Sequence, residues 1–258
     1  MKVLILAAGL GTRLGNLVYR VPKCLLRVDQ TSILEEQVRI LSNCGLKDIT
    51  IVIGAKGSCW ARKQHSTIKS IVQKARAQVI VNFDNTSTGQ SFSLLLGLKE
   101  IQLGPIFCID GDVIFRTDVI KKMLSADYNS FLVSKKMVNE AEPGTKLVID
   151  FEGRITDIGK SAASTRFSIG IYGGMMKVGE AGFPELRTIL EHGPYADTNV
   201  EKPLKLFCKN CDLRNLEIND GWVNVNTLAD IAKARLIIHD NRDARAQKNN
   251  HLALLKNC

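Results

Sequence analysis

Short apolar runs alternate with amphipathic segments along the first half of the chain. Four runs rich in branched apolar side chains are typical of buried strands and span 2–7, 49–53, 78–81 and 105–109. Helices are predicted between them over 33–43, 63–75 and 90–100. This alternation predicts an α/β fold with a Rossmann-like, doubly wound and mostly parallel sheet.

The helix over 33–43 has the clearest boundaries. Ser32 can cap its N-terminus, and Glu35 stands three residues later, which is the spacing of a capping box. Gly45 can end the helix. Its apolar residues fall on one face, namely Ile33, Leu34, Val38 and Leu41.

The second half continues the sheet and adds a hairpin. Strands are predicted over 129–134, 145–150, 154–159, 168–173 and 212–218, and helices over 179–192, 197–207 and 227–238. We expect one domain over 1–238, with a small β-hairpin lid over about 135–167. Residues 239–258 are expected to form a C-terminal extension or tail.

A glycine-rich turn follows the first strand. Its three glycines are Gly9, Gly11 and Gly15. Glycines let the backbone approach a ligand closely, and amide groups between a strand and a helix can bind an anion. Arg13 and Lys23 add positive charge, and Pro22 presents Lys23 from a stiff segment. The turn therefore predicts a polyphosphate site.

The same glycines also resemble a dinucleotide-binding turn. That turn requires the spacing G-x-G-x-x-G and an acid at the end of the second strand. Leu14 stands where the third glycine would be, and Gly54 and Ala55 follow the second strand without an acid. The dinucleotide interpretation is therefore rejected.

Composition narrows the class of partner. The 258-residue chain carries a net charge of +9, which favours anionic partners. Its basic residues are scattered and only 6% of its residues are aromatic, so phosphorylated small molecules are better candidate partners than nucleic acid.

Seven cysteines at irregular spacing argue for a reducing, cytoplasmic environment. No run of about 18 apolar residues is present, so no membrane span is predicted.

Two acids follow the fourth strand, in the sequence Asp110-Gly111-Asp112. Two carboxylates beside a phosphate site are unfavourable unless a cation joins them. Mg²⁺ takes oxygen ligands and commonly links one or two carboxylates to substrate phosphates. We expect Asp110 to point to the opposite side from Asp112.

Residues 6–14, which read LAAGLGTRL, together with Pro22 and Lys23 resemble the signature of the nucleotidyltransferase superfamily. That superfamily includes sugar-1-phosphate nucleotidyltransferases and phosphocholine cytidylyltransferases. The resemblance implies a GT-A-like nucleotidyltransferase fold, with the triphosphate in the glycine turn and the base beside the polar stretch after the third strand. The implied nucleotide-binding residues are Leu6, Ala8, Gly9, Gly11, Thr12, Arg13, Lys23, Thr88, Gly89, Gln90, Ser91 and Asp110.

The resemblance also implies a metal site. In the family the acid after the glycine of this motif holds the metal, which maps onto Asp112. Residues 221–230, which read GWVNVNTLAD, resemble the family's closing motif W-x-x-(I/V)-D-T-x-x-D-L, and Asn226 stands where relatives often have the second metal-binding Asp. Asn can still bind Mg²⁺ through its carbonyl oxygen, although one negative charge is lost.

Phosphocholine-type members carry a lysine in each strand of a similar hairpin, which implies that Lys146 and Lys160 bind the acceptor phosphate. Both lysines could equally be ordinary surface residues. Asp197 lies where relatives place an acid and is a further acceptor-binding candidate. The residues expected to take part in catalysis are Arg13, Lys23, Asp112 and Lys160.

The function implied by the resemblance is Mg²⁺-dependent transfer of CMP from CTP to a phosphorylated or phosphonylated small molecule, with release of pyrophosphate. Phosphocholine-, aminoethylphosphonate- and phosphoglutamine-like acceptors fit, which suggests a role in cell-surface polysaccharide or capsule synthesis. One alternative is a sugar-1-phosphate uridylyl- or thymidylyltransferase. Another is a non-catalytic nucleotide sensor, with Asn226 as the mark of lost chemistry. Whether the chain forms a homo-oligomer is left open.

Overall fold

The computed structural model describes residues 1–9, 11, 14, 21–55, 62–139 and 141–256, without the side chains of 62–65 and 247–256. A single 3₁₀ turn spans Lys23–Leu25. The helices are α1 (Ile33–Asn43), α2 (Arg62–Ala75), α3 (Gln90–Glu100), α4 (Thr117–Ser125), α5 (Phe183–His192), α6 (Glu201–Asn210) and α7 (Leu228–Lys256). The strands are β1 (Lys2–Ala7), β2 (Arg27–Val28), β3 (Thr31–Ser32), β4 (Ile49–Gly54), β5 (Gln78–Asn82), β6 (Ile106–Asp110), β7 (Val113–Phe115), β8 (Ser130–Lys136), β9 (Lys146–Ile149), β10 (Ile155–Gly159), β11 (Ser168–Val178), β12 (Leu213–Glu217) and β13 (Trp222–Asn224).

Strand β1 lies inside the parallel part of the sheet, between β4 and β6, and is buried on both faces. It runs parallel to β4 on one side and to β6 on the other, and β5 continues the parallel part beyond β4. Val3 and Ile5 pack with α1 and α2, whereas Leu4 and Leu6 pack with α3 and α5 on the opposite face. A strand covered on both faces must be apolar throughout, which explains the unbroken run at the start of the sequence.

Beyond β6 the sheet continues mainly in antiparallel pairs, with β12 added parallel to β8 at one edge. The long strand β11 pairs with β6, β8 and β9, and β9 pairs in turn with β10. The register shifts between Tyr172 and Met176, where Gly174 has a φ of 73°. The hairpin predicted around Glu152 and Gly153 is the pair of β9 and β10, and it extends one edge of the nine-stranded sheet.

Helix α1 begins as the sequence predicts. The Ser32 hydroxyl accepts a hydrogen bond from the Glu35 amide, and the Glu35 carboxylate accepts one from the Ser32 amide at 2.8 Å, which closes the capping box. Gly45 follows the helix with a φ of 85°, a conformation that favours glycine.

Two other helices begin later than predicted. Helix α5 starts at Phe183 rather than at 179, with Pro184 in its first turn, where the missing N–H of proline costs no hydrogen bond. Helix α6 starts at Glu201 rather than at 197, because the carbonyls of Ala196 and Thr198 accept hydrogen bonds from residues outside the helix.

Helix α7 continues through position 238, where the sequence analysis placed the start of the tail, and ends at Lys256. Asn241 is buried on this helix and joins it to α1, β7 and α4. Its side-chain nitrogen donates to the Glu36 carboxylate at 3.2 Å and to the Phe115 carbonyl at 3.1 Å. Its side-chain oxygen accepts from the Thr117 amide at 3.0 Å. None of the helices within the described residues is both long and apolar enough to cross a membrane.

We expect Asn241→Ala to lower the free energy of unfolding by about 1–3 kcal/mol, because it leaves the Thr117 amide and the Phe115 carbonyl without a partner. Urea denaturation monitored by circular dichroism measures this loss. Asp243→Ala, on the exposed side of the same helix, is the control and should change stability by less than about 0.5 kcal/mol. Equal stability of the two variants would contradict the anchoring role of Asn241.

Candidate active site

The carboxyl ends of the parallel strands meet at one edge of the sheet and open into a cleft of about 450 Å³. Ligands of open α/β sheets bind at this position, because the loops that leave the strands converge there. The cleft is lined by Leu6, Ala7, Ala8, Gly9, Gly11, Lys23, Cys24, Asn82, Asn85, Thr86, Thr88, Gly89, Gln90, Ser93, Asp110, Gly111, Asp112 and Asn199.

The turn over Asp110–Val113 is held through its main chain. The Gly111 amide donates to the Leu6 carbonyl at 2.8 Å, and the Asp112 carbonyl accepts from the Val225 amide at 2.9 Å. The carbonyls of Asp110 and Val113 both accept from the side-chain amide of Gln37 on α1. A Cβ at Gly111 would lie 2.8 Å from the Ala7 Cα, so only glycine fits against β1 at this position.

Asp112 and Asn226 face the same cation. The Lys23 ammonium donates to the Asp112 carboxylate and, at 2.8 Å, to the Asn226 side-chain oxygen. Lys23 is only 9% exposed, and Pro22 lies immediately before the 3₁₀ turn that presents it. A carboxylate and an amide oxygen that are 114 positions apart in the sequence thus converge on one positive charge at the cleft.

A short two-stranded sheet brings Asn226 to this place. Strand β13 pairs antiparallel with β7, with Asn224 opposite Val113. The Asp230 carboxylate then accepts from the amides of Asn226 and Thr227 at 3.0 and 2.9 Å, which caps α7. Asn226 is therefore fixed on both sides, by the short sheet before it and by the helix cap after it.

Asp110 binds a different partner from Asp112. Its carboxylate accepts a hydrogen bond from the Gln90 side-chain amide at the start of α3. Residues two apart in a regular strand share a face, so the two acids are separated by the turn at Gly111 and not by the strand pleat. Burial raises the pKa of the Asp110 carboxyl well above its usual value, and the Asp112 carboxylate raises this pKa further, against the opposing effects of Lys23 and Gln90.

The polar loop after β5 is organised by Asn82, which is fully buried. Its side-chain amide donates to the hydroxyls of Thr88 and Ser93 at 3.1 Å, and its oxygen accepts from the Asp84 amide at 2.9 Å. The Asn85 amide reaches back across the cleft to the Ala8 carbonyl at 3.3 Å. These contacts give the loop a defined shape beside the glycine turn.

A second segment, residues 195–199, packs directly on this loop. The Gly89 amide donates to the Ala196 carbonyl at 2.7 Å, and the Ser91 amide donates to the Thr198 carbonyl at 2.9 Å. A Cβ at Gly89 would lie 2.2 Å from the Thr198 carbonyl oxygen, so the two backbones approach more closely than any side chain would allow. The main-chain amides of Gly89 and Ser91 are therefore occupied by protein.

The predicted acceptor-binding residues lie outside the cleft lining. Lys146 is half-buried in β9, opposite Gly159 and Ile171 of its neighbouring strands. Lys160 is exposed at the end of β10, and Asp197 is exposed in the segment over 195–199. Helix α6 contacts the hairpin edge through a hydrogen bond from the Thr145 hydroxyl to the Glu201 carboxylate at 2.7 Å.

The structure brings most of the predicted nucleotide and metal residues together. Ser91 is buried behind the cleft, and its hydroxyl lies 3.2 Å from that of Thr198. Thr12 and Arg13 lie outside the described residues. The predicted residues that line the cleft or contact a lining residue are Leu6, Ala8, Gly9, Gly11, Lys23, Thr88, Gly89, Gln90, Asp110, Asp112 and Asn226.

Several polar residues of the site were not among the named candidates: Asn82, Asn85 and Ser93 of the predicted polar stretch, and Asn199. Gln37 was also not predicted, although a signal was available. Gln37 stands four residues after Ile33 and four before Leu41, on the apolar face of α1. A polar residue on the buried face of a helix requires a partner, and here that partner is the Asp110–Val113 turn.

Comparisons with known proteins show which family the chain resembles. The profile of the MobA-like NTP transferase domain family matches residues 3–144. The choline-phosphate cytidylyltransferase of Streptococcus pneumoniae is 32% identical over 133 residues, which cover 50% of this chain and 54% of that protein. The CTP:phosphoglutamine cytidylyltransferase of Campylobacter jejuni is 22% identical over 258 residues, which cover 90% of this chain and 98% of that protein. The chain thus spans about half the length of the pneumococcal relative.

A solved structure supports the fold directly. The CTP:phosphocholine cytidylyltransferase from Streptococcus pneumoniae superposes with a TM-score of 0.72 at 22% sequence identity, covering 92% of this chain and 98% of that chain. The likeness confirms the predicted α/β class and the mostly parallel central sheet.

We expect Gly89→Ala to lower the free energy of unfolding by about 1–3 kcal/mol, because the added methyl group must push the segment over 195–199 away from α3. Gly159→Ala is the matched control, since a Cβ at Gly159 meets no atom within 4 Å. Thermal and urea unfolding of both variants measure the difference. An equal decrease in the free energy of unfolding of the two variants would show that the close approach at Gly89 does not make the added methyl group destabilising.

Proposed function

This chain belongs to the MobA-like NTP transferase domain family, and we propose that it is a nucleotidyltransferase that moves CMP from CTP to a phosphorylated or phosphonylated small molecule. Pyrophosphate is the second product. The observation that carries the proposal is the convergence of Lys23, Asp112 and Asn226 at the carboxyl end of the parallel sheet.

The residues present suit a divalent cation. Asp112 and Asn226 offer only oxygen atoms, which Mg²⁺ prefers, and both already contact a single ammonium. Within the described part of the chain, no cluster of three or more His, Cys, Asp or Glu side chains could hold a metal ion. Two protein ligands plus phosphate oxygens is the arrangement that Mg²⁺ commonly adopts with nucleotides. Bound between Asp112 and Asn226, Mg²⁺ would neutralise and polarise phosphate oxygens.

The chain's own residues account for the rest of the chemistry by charge and alignment. An acceptor phosphate oxygen attacks the α-phosphorus in line, and the bond from that phosphorus to the pyrophosphate oxygen breaks. The acceptor is already an anion, so no protein base has to remove a proton. Lys23, once it is released from Asp112, supplies a positive charge to the phosphates, and Asp110 and Gln90 fix the start of α3 beside them. Arg13 is proposed to share the phosphate role with Lys23.

The relatives support the proposed donor and acceptor. The two relatives compared above are named as cytidylyltransferases that act on choline phosphate and on phosphoglutamine, which supports CTP and a small phosphorylated acceptor. Lys146 on β9 and Lys160 just after β10 are the proposed contacts of the acceptor phosphate, because Lys146 lies opposite Gly159, the residue before Lys160, at the same edge of the hairpin. Asp197 lies in the segment over 195–199, which packs on the loop after β5. It is proposed to contact the end of the acceptor opposite its phosphate.

Pyrophosphate release tests the proposal. Each of CTP, UTP, dTTP, ATP and GTP is incubated with Mg²⁺ and a panel that includes phosphocholine, 2-aminoethylphosphonate, a phosphorylated amide and glucose 1-phosphate. We expect release with CTP and a non-sugar acceptor. Release only with UTP or dTTP and glucose 1-phosphate would replace the proposal by a sugar-nucleotide synthesis, and nucleotide binding without release for every pair would indicate a sensor.

Asp112→Asn should reduce turnover by about 100-fold or more, because it removes the charge of the one carboxylate proposed to bind the metal while keeping the shape of the side chain. Steady-state pyrophosphate release measures the loss. Asp118→Asn, at an exposed position on α4, is the matched control and should keep the parental rate. Parental turnover in Asp112→Asn would rule out its proposed role.

Lys23→Met should have two opposite effects. Without nucleotide we expect Mn²⁺ to bind about 10-fold more tightly or better, because a unit charge at about 4 Å contributes several kcal/mol at the effective dielectric of a protein surface. The affinity for CTP should fall in the same variant, because a phosphate contact is lost. Mn²⁺ binding followed by electron paramagnetic resonance and CTP binding followed by calorimetry measure the two effects. Weaker Mn²⁺ binding to the variant would contradict competition between the ammonium and the metal.

A further inference from the structure

Gln37 connects helix α1 to both ends of the turn that carries Asp112. It is 1% exposed, and its side-chain nitrogen lies 2.8 Å from the Asp110 carbonyl oxygen and 2.8 Å from the Val113 carbonyl oxygen. The two carbonyls bracket Gly111 and Asp112. One side chain therefore fixes the entry and the exit of the two-residue segment that the proposed metal site depends on.

The orientation of the Gln37 amide follows from its partners. Both are carbonyl oxygens, which only accept hydrogen bonds, so the amino group must face them and uses both of its hydrogens. The Gln37 side-chain oxygen is then buried, and no hydrogen-bond partner for it occurs in the described part of the chain. An apolar residue of the same size would avoid burying that oxygen, so packing alone does not explain a glutamine at this position.

We propose that Gln37 is a positioning residue, which holds the Asp112 carboxylate at the distance from Asn226 where the two can share one cation. Three other contacts of the turn come from main-chain atoms, through Leu6, Val225 and the β7–β13 pairing. Gln37 supplies two further hydrogen bonds to the main chain of the turn. Without its amino group the turn can rotate about its anchors and carry Asp112 away from Asn226, and displacements of this size matter in sites that act by alignment.

Two variants separate this role from packing. Gln37→Met keeps the length and removes the donor, and Gln37→Glu keeps the shape and replaces the donor by an acceptor. Leu41→Met, a fully buried position one turn further on the same helix, is the matched control. Thermal unfolding identifies which variants are folded at the temperature of the measurements.

Hydrogen–deuterium exchange of the peptide over 109–115 is the first readout and requires no substrate. We expect its amides to exchange at least about 10-fold faster in Gln37→Met or Gln37→Glu than in the parent, as local opening becomes easier, and at the parental rate in Leu41→Met. Exchange at the parental rate in both Gln37 variants would overturn the proposal, as would equal acceleration in Leu41→Met.

Mn²⁺ binding in the presence of CTP is the second readout, and it rests on the proposed function. Loss of a residue that orients a metal ligand typically lowers metal affinity or activity 10–100-fold. We therefore expect Gln37→Met to lower the Mn²⁺ affinity and kcat by about 10–100-fold. The KM for the acceptor should change little. Accelerated exchange with unchanged Mn²⁺ affinity would overturn the positioning role. A parent protein that binds no Mn²⁺ with any nucleotide would instead contradict the proposed function, while the exchange result would still decide whether Gln37 holds the turn.

Discussion

The structure depends on the attraction between one positive charge and two oxygen atoms, those of Asp112 and Asn226. A carboxylate at the end of a buried strand is unfavourable by itself, and a cation between it and a neutral amide oxygen offsets much of that cost. Lys23 provides this cation in the structure described. Under the proposed function the same pair of oxygens would bind a divalent ion, with phosphates taking the ammonium's share of the contacts. Asn226 is neutral, so the pair carries a single negative charge, which one ammonium can balance.

The remainder of the fold serves to bring these atoms to one edge. Burial of β1 on both faces fixes the parallel strands, and the direction of those strands sends the glycine turn, the loop after β5 and the Asp110–Val113 turn to the same end. The short sheet of β7 and β13 then brings Asn226 from the distant end of the sequence to Lys23 and Asp112. Main-chain hydrogen bonds carry most of this arrangement, so it tolerates wide variation in sequence. This agrees with a TM-score of 0.72 at only 22% identity.

The sequence predicted the local features well and the distant ones poorly. The capping box at Ser32 and Glu35 and the strand over Lys2–Ala7 were correct because they depend on neighbouring residues. The residues of the glycine turn and Asp112 were predicted through a motif. The predicted start of α6 was wrong, because hydrogen bonds to the Ala196 and Thr198 carbonyls compete with helix extension and leave no local signal. The predicted start of α5 was also wrong, since the helix begins at Phe183, one residue before Pro184. Gln37, Asn82 and Asn85 were missed for a related reason: their roles are defined by partners that lie far away in the sequence, such as the Val113 and Ala8 carbonyls.

The close approach of Gly89 to Thr198 has a consequence for how the protein is made. The region that matches the family profile ends at residue 144, yet the loop after β5 is completed by Ala196 and Thr198, and Asp112 by Asn226. During synthesis the first half of the chain leaves the ribosome before the residues that complete the site. The loop after β5 then lacks its contacts with Ala196 and Thr198, and the Asp110–Val113 turn lacks its contact with Val225. Folding of this site is therefore a late, long-range event, and the nascent chain acquires a finished cleft only after nearly the whole domain has emerged.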